Sequence, residues 1–183
     1  MVDIGSGLPG TGPVGQSGGV TERVTLRPPR HLVSPRAVPY WRLRAVAGWL
    51  PLLLAGAVAL MLIPDRPWWA VWAAVAVTLV AIVHIVVMPQ WRYRVHRWEV
   101  TSDAVYTQAG WLSQERRIAP TSRIQTVDTE RGPLEQLFGL SKVTVTTASA
   151  AGPLWIHGLD HTTAQQMADQ LTATTQATPG DAT

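Results

Sequence analysis

AVAGWLPLLLAGAVALMLI, Ala45–Ile63, followed after Pro64-Asp65-Arg66-Pro67 by WWAVWAAVAVTLVAIVHIVVM, Trp68–Met88, is the stretch that decides how this chain is built. The first run carries no charge, and the second carries one His and no formal charge. At 1.5 Å of rise per residue each run makes a helix of about 30 Å, the thickness of a bilayer's hydrocarbon core. Apolar runs of this length are rarely the buried helices of a soluble core. The linker is too short for anything except an antiparallel pair. A two-span membrane hairpin is therefore the first expectation.

Charge outward from the hairpin sets its orientation. Arg23, Arg27, Arg30, Arg36, Arg42 and Arg44 precede it, and Arg92, Arg94 and Arg97 follow it. The turn holds only Asp65 and Arg66, which cancel. The positive-inside rule then places both termini in the cytoplasm and the turn outside, a two-pass arrangement in the cell (inner) membrane. Tyr40 and Trp41 precede the first span, Trp68 and Trp69 open the second, and Trp91 and Trp98 follow it. These amphipathic rings suit the two headgroup layers. Ala55 and Ala59 on one span and Ala70 and Ala74 on the other form small-xxx-small pairs that permit close helix approach. Pro51 is a candidate kink. His84 has no Asp, Glu, Lys or Arg partner in either span, so it reads as a neutral His near the interface and not as part of a proton path.

The totals bound the remainder. Of 183 residues, 15 are Lys or Arg and 12 are Asp or Glu, a net charge of +3. Basic residues crowded beside a bilayer serve topology and contact with anionic lipid more readily than nucleic-acid binding. No nucleic-acid partner and no cofactor is expected. There is no Cys, which excludes disulfides and thiolate metal sites. Residues 1–39 are rich in Gly, Pro and Ser and read as a disordered tail. Their two G-x-G-x-x-G matches, from Gly5 and from Gly10, lack the flanking strand and helix that a dinucleotide site needs. The first apolar run begins too late for a secretory signal. Residues 40–89 are the hairpin, 90–174 one small domain, and 175–183 a polar tail.

Within 90–174 the period changes to two. Trp91, Tyr93 and Val95 alternate with Arg92, Arg94 and His96 as in a half-buried strand, with a bulge near His96-Arg97 resetting the phase for Trp98 and Val100. Further strands are expected at Ala104–Thr107, Ser113–Ile118, Arg123–Thr129, Lys142–Thr147 and Leu154–His157. Ala164, Met167, Ala168 and Leu171 then fall at helical spacing, behind Asp160 or Thr162 as a cap. Short antiparallel strands followed by one amphipathic helix predict a curved sheet or partial barrel with a helical plug.

Pro120, Arg123-Ile124-Gln125, Val127, Gly132-Pro133-Leu134 and Gly139-Leu140 carry a resemblance. So do Gly110-Trp111-Leu112 and Gly158-Leu159-Asp160 with Ala164. In these residues and in its layout the chain resembles the bacterial pleckstrin-homology (PH) membrane proteins, the YdbS-like family, over about Arg30–Leu171. The resemblance implies a membrane α-helical hairpin plus a small, mainly-β PH-like split barrel, capped by a C-terminal helix and tethered under the membrane. It brings no catalytic residues. Apart from the resemblance, the glycines and Pro133 are turn chemistry. Arg123 and Gln125 either satisfy backbone carbonyls or bind a ligand.

Two constellations bear on chemistry. His157, Asp160 and His161 are types that hold Zn or Mn, but Gly158 and the strand-to-helix change spoil a shared aim. Arg92, Arg94, Arg97, Arg116, Arg117 and Arg123 form a candidate basic face, each exposed Arg adding roughly 1 kcal/mol of attraction to an anionic leaflet. No serine sits in a nucleophile elbow. The expectation is a non-catalytic, membrane-anchored binding or scaffold protein that engages membrane lipid headgroups, a protein partner or copies of itself. The alternatives are an accessory subunit of a larger envelope or transport complex and, last, a metal-dependent hydrolase.

Overall fold

The structure is a computed structural model that describes residues 28–110 and 113–177. The glycine motifs, Arg23, Arg27, Trp111, Leu112 and the tail beyond 177 lie outside the described residues. Two long helices, α1 (Ala37–Leu62) and α2 (Trp68–Val95), form the antiparallel hairpin. Their turn is tightened by Asp65 at φ 52°, a left-handed conformation that Asp tolerates better than most residues. Only 6% of each helix's most apolar stretch is buried. Leu50, Leu54, Val58, Leu62, Trp72, Leu79 and Val83 all face outward. These are not core helices of the chain's own fold, and so large an exposed apolar surface requires another medium to cover it. Trp49 on α1 hydrogen-bonds to His84 on α2 across the hairpin, and Ala45 and Ala81 are buried. Ala55 and Ala59 are exposed, and Ala70 and Ala74 half-buried.

Past the hairpin stand two antiparallel sheets that do not close on each other. The first has the order β1 (His31–Leu32), β2 (Arg97–Val100), β3 (Ala104–Ala109), β4 (Glu115–Pro120). The second is β5 (Ile124–Glu130), β6 (Leu140–Thr147), β7 (Leu154–Asp160), with a short helix α3 (Pro133–Leu137) between its first two strands. Helix α4 (His161–Ala177) follows β7 directly. Asp160 caps it, accepting hydrogen bonds from Thr162 N at 3.3 Å and Thr162 Oγ1 at 2.9 Å. Ala164, Met167 and Leu171 of its apolar face are buried against Val105, Val143, Val145, Leu154, Ile156 and Leu159. The expected split barrel with its helical cap is present.

Two expectations need correction. Trp91–Val95 is the end of α2 and not a strand, and no bulge is needed at His96-Arg97. Pro89 lies inside the helix, which closes only where His96 N donates to Arg92 O at 2.9 Å. A proline removes one backbone bond, and here the packing of Pro89 and Val95, both buried, outweighs it. Five alternating residues cannot distinguish a strand from a helix whose ring-bearing face meets a neighbour. The second correction is at the other end: residues 31–39 are ordered. His31–Leu32 pairs with Arg97–Trp98, and α1 begins at Ala37. This is the seventh strand of the two sheets, supplied from before the hairpin.

Candidate functional site: the junction of hairpin and domain

The first turns of α1 belong to the domain's packing as much as to the hairpin. Val33, Ala37, Tyr40 and Trp41 form a buried cluster with Leu140 at the start of β6. Gly158 makes this approach possible. One residue, Lys142, faces two on β7, His157 and Gly158, where the register shifts. Gly158 takes φ +76° there, and its carbonyl accepts Ser34 N at 2.8 Å. A Cβ on Gly158 would stand 2.9 Å from Ala37 Cβ. Arg36 then ties α1 to the cap of α4 through Asp160, at 3.2 Å. Gly132 N donates to Glu135 Oε2 at 2.7 Å with Pro133 in the first turn, so α3 is held as a rigid platform beside α1.

At this junction a cleft of about 590 Å³ opens between α1, α2, α3 and β7, a size within the range of small-ligand sites. Its domain end is polar. Arg44 Nη1 donates to Tyr40 Oη at 3.0 Å, and Tyr40 Oη donates to Glu135 Oε1 at 3.4 Å. Arg92 stacks on Trp41, 4.6 Å from the ring centroid, a cation–π contact that fixes the guanidinium plane. His157 also lines this end. Burial, with Arg92 and Lys142 nearby, lowers its pKa, against the opposing pull of Glu135. Neighbouring His96 is pushed down to about 4, first by burial and then by Arg92. Its Nδ1 donates to Arg92 O at 2.9 Å, and its ring lies 5.2 Å from that of Trp41. Both imidazoles are therefore neutral near pH 7. Toward the hairpin the lining turns apolar through Gly48, Leu52 and Met88, and Trp49 Nε1 donates to His84 Nδ1 at 3.1 Å.

The six candidate arginines do not share one surface. Arg92 lines the cleft. Arg94 is exposed on α2, and Arg97 stands on β2 beside Trp98 and Arg36 in a separate hollow. Arg116 and Arg117 are consecutive on β4 and so point to opposite faces. Arg117 pairs with Glu115 at 3.3 Å and donates to Pro153 O at 2.6 Å and to Ala151 O, holding the loop before β7. Arg123 and Gln125 are exposed at the seam between the sheets, and Gln125 is the unpaired residue of a bulge between Ile124 and Thr126. Arg44, read from the sequence only as a topology charge, is the residue that reasoning missed. The signal was its i, i+4 spacing to Tyr40 on a helix that starts earlier than the apolar run.

His157, Asp160 and His161 go to three different places. His157 faces the cleft, Asp160 caps α4, and His161 Nδ1 lies 3.1 Å from Ser141 Oγ. Among the described residues no three His, Asp or Glu side chains converge as a metal site. The remaining motif residues are structural: Pro120 ends β4, Ile124 and Val127 pack on the core, Leu134 lies on α3, Gly139 turns at φ +67°, and Leu140 is fully buried.

Comparison with known proteins agrees with this architecture. The sequence profile of the family described as "Bacterial PH domain" matches residues 45–175. The chain is 30% identical over 156 residues to the UPF0699 transmembrane protein YdbS of Bacillus subtilis (strain 168), covering 84% of this chain and 97% of that protein. No solved structure matches.

Proposed function

This chain belongs to the bacterial PH domain family, and from that premise we propose that it is a non-catalytic, membrane-anchored binding module of the cell membrane. The hairpin crosses the bilayer, both termini lie in the cytoplasm, and the PH-like domain is held against the inner ends of the two spans. Its work is recognition of an anionic group at the hairpin–domain junction, presented by a lipid, a partner protein or another copy of the chain. The observation that supports this most is the cleft with Arg44 and Arg92 at one end. The ion pairs among the described residues join Arg30 to Glu99, Arg36 to Asp160, Arg117 to Glu115 and Lys142 to Glu130, and include neither of these two arginines. One exposed and one half-buried cation in a concave site are poised for an anion.

Two measurements test the reading. The native chain has no Cys, so single cysteines at Asp65 and at Thr174 report orientation to an impermeant maleimide. Labelling of Asp65→Cys in intact cells, and of Thr174→Cys only after permeabilisation, is expected; the reverse pattern would remove the orientation. Extraction of the full chain with its surrounding lipid, followed by mass spectrometry, should show an anionic species enriched over the bulk membrane. Loss of that enrichment in the Arg44→Gln/Arg92→Gln variant is expected. Absence of any enriched species would remove the binding-module reading.

A further inference from the structure

The two helices of the hairpin carry matching stripes that run inward from the junction. On α1, Arg44, Gly48 and Leu52 follow one another at four-residue spacing; on α2, Arg92, Met88 and His84 do the same in the opposite direction. Residues at this spacing lie on one face of a helix, about 6 Å apart along its axis. Each stripe begins with a cation and continues into Gly48 and Leu52 on α1 and Met88 on α2, with His84, hydrogen-bonded to Trp49, as the one polar side chain at the far end. All six line the same cleft.

Depth matches chemistry. Arg44 lies twenty residues before Pro64, about 30 Å along the helix axis, and Met88 lies twenty residues after Trp68, again about 30 Å. Arg92 is about 6 Å beyond Met88. With the turn at one face of a hydrocarbon layer roughly 30 Å thick, Arg44 and Arg92 fall in the opposite headgroup layer, while Gly48, Leu52 and Met88 fall at or below the acyl boundary. Gly48 is the notch in this groove: a Cβ built on it meets nothing within 4 Å.

We infer that the cleft holds one anionic phospholipid of the surrounding bilayer, its phosphate between Arg44 and Arg92 and one acyl chain laid between α1 and α2 along Gly48, Leu52 and Met88. This deepens the binding-module reading and rests on it. Charge complementarity selects an anion, because Glu135 is shared with Tyr40 and Gly132 while Arg92, stacked on Trp41, lines the cleft with Arg44. The gradient from cation to apolar groove selects an amphiphile over a soluble phosphate. Two other basic side chains in concave places are already engaged: Arg36 with Asp160, and Arg117 with Glu115 and two carbonyls.

The test uses the full chain in neutral detergent, stripped of lipid and titrated by native mass spectrometry. The probes are phosphatidylglycerol, phosphatidylcholine and glycerol 3-phosphate. Phosphatidylglycerol should bind in one saturable copy, about tenfold or more tighter than phosphatidylcholine, the scale of one charge-assisted hydrogen bond, and glycerol 3-phosphate should not be retained. Arg44→Gln/Arg92→Gln should abolish the preference. Gly48→Leu fills the notch and raises helix propensity without meeting a neighbour; it should weaken phosphatidylglycerol by a similar factor with no loss of melting temperature. If Gly48→Leu binds like the wild type, or glycerol 3-phosphate binds as well as the lipid, the acyl groove is overturned while anion capture at the junction stands. If neither variant changes lipid binding, the cleft is not the site.

Discussion

Gly158 is where the hairpin's root meets the domain, and replacing it with Ala isolates the strength of that docking. The substitution has two effects. Alanine at φ +76° is disfavoured by about 1–2 kcal/mol wherever it occurs. Its Cβ would also stand 2.9 Å from Ala37 Cβ, closer than side chains pack, so α1 must shift; overpacking of this kind is worth roughly 1–3 kcal/mol. Gly152 separates the two effects, because it has nearly the same backbone, φ +75°, and nothing within 4 Å of a built Cβ. Gly152→Ala should therefore destabilise by the backbone part alone, and Gly158→Ala by about 2–5 kcal/mol in total. The assay is urea unfolding of the full chain in mild detergent, followed by near-ultraviolet circular dichroism. In a double-mutant cycle Ala37→Gly should recover most of the difference, since it removes the atom struck. Equal losses at Gly158 and Gly152, or strict additivity with Ala37→Gly, would show that α1 is not docked on β7 as described.

Three further outcomes are expected. His96 is held neutral in the folded chain, with a pKa of about 4 against an ordinary 6.5. The unfolded chain then binds the extra proton between those values. Stability is whole above about pH 6.5 and falls as the pH drops toward 4, by at most on the order of 3 kcal/mol, with His157 acting in the same direction; His96→Asn should flatten the melting temperature against pH across that window. Arg117→Gln should free the carbonyls of Ala151 and Pro153, with a loss of about 1.5–3 kcal/mol and faster hydrogen exchange over residues 148–153. A fragment of residues 90–177 lacks Val33, Tyr40 and Trp41, which cover Leu140. Each such apolar side chain is worth about 1.5–3 kcal/mol when buried, so the fragment should be markedly less stable than the same residues in the full chain, and equal denaturation curves would contradict the packing.

Much of this architecture was legible in the residues because it rests on strong local signals. The hairpin follows from two long uncharged runs. Strands β3 to β7 follow from alternation and turn residues, and α4 from Ala164, Met167 and Leu171. What was not legible depended on partners distant in sequence. His31–Leu32 has two residues of strand in a Pro- and Arg-rich setting and becomes a strand only because Arg97–Trp98 is there to pair with it. Trp91–Val95 alternates like a strand, yet the packing of Val95 and the stacking of Arg92 on Trp41 keep it helical. The candidate arginines suffered from the same blindness. Their spacing along the chain says nothing about which carbonyl or ring each one finds, so Arg117 went to a loop and Arg44 entered the cleft.

Since β1 precedes the hairpin and β2 follows it, the two apolar helices are, in topology, a long excursion between neighbouring strands of one sheet. Leu32 and Arg97 staple the domain-side feet of the helices together like the pivot of a pair of tongs. Any spreading or scissoring of the helices, whether by a thinner bilayer or by a molecule wedged between them, must load that two-residue seam and the Ser34–Gly158 bond beside it. The first sheet is thereby tied mechanically to the membrane segment through its outermost strand pairing.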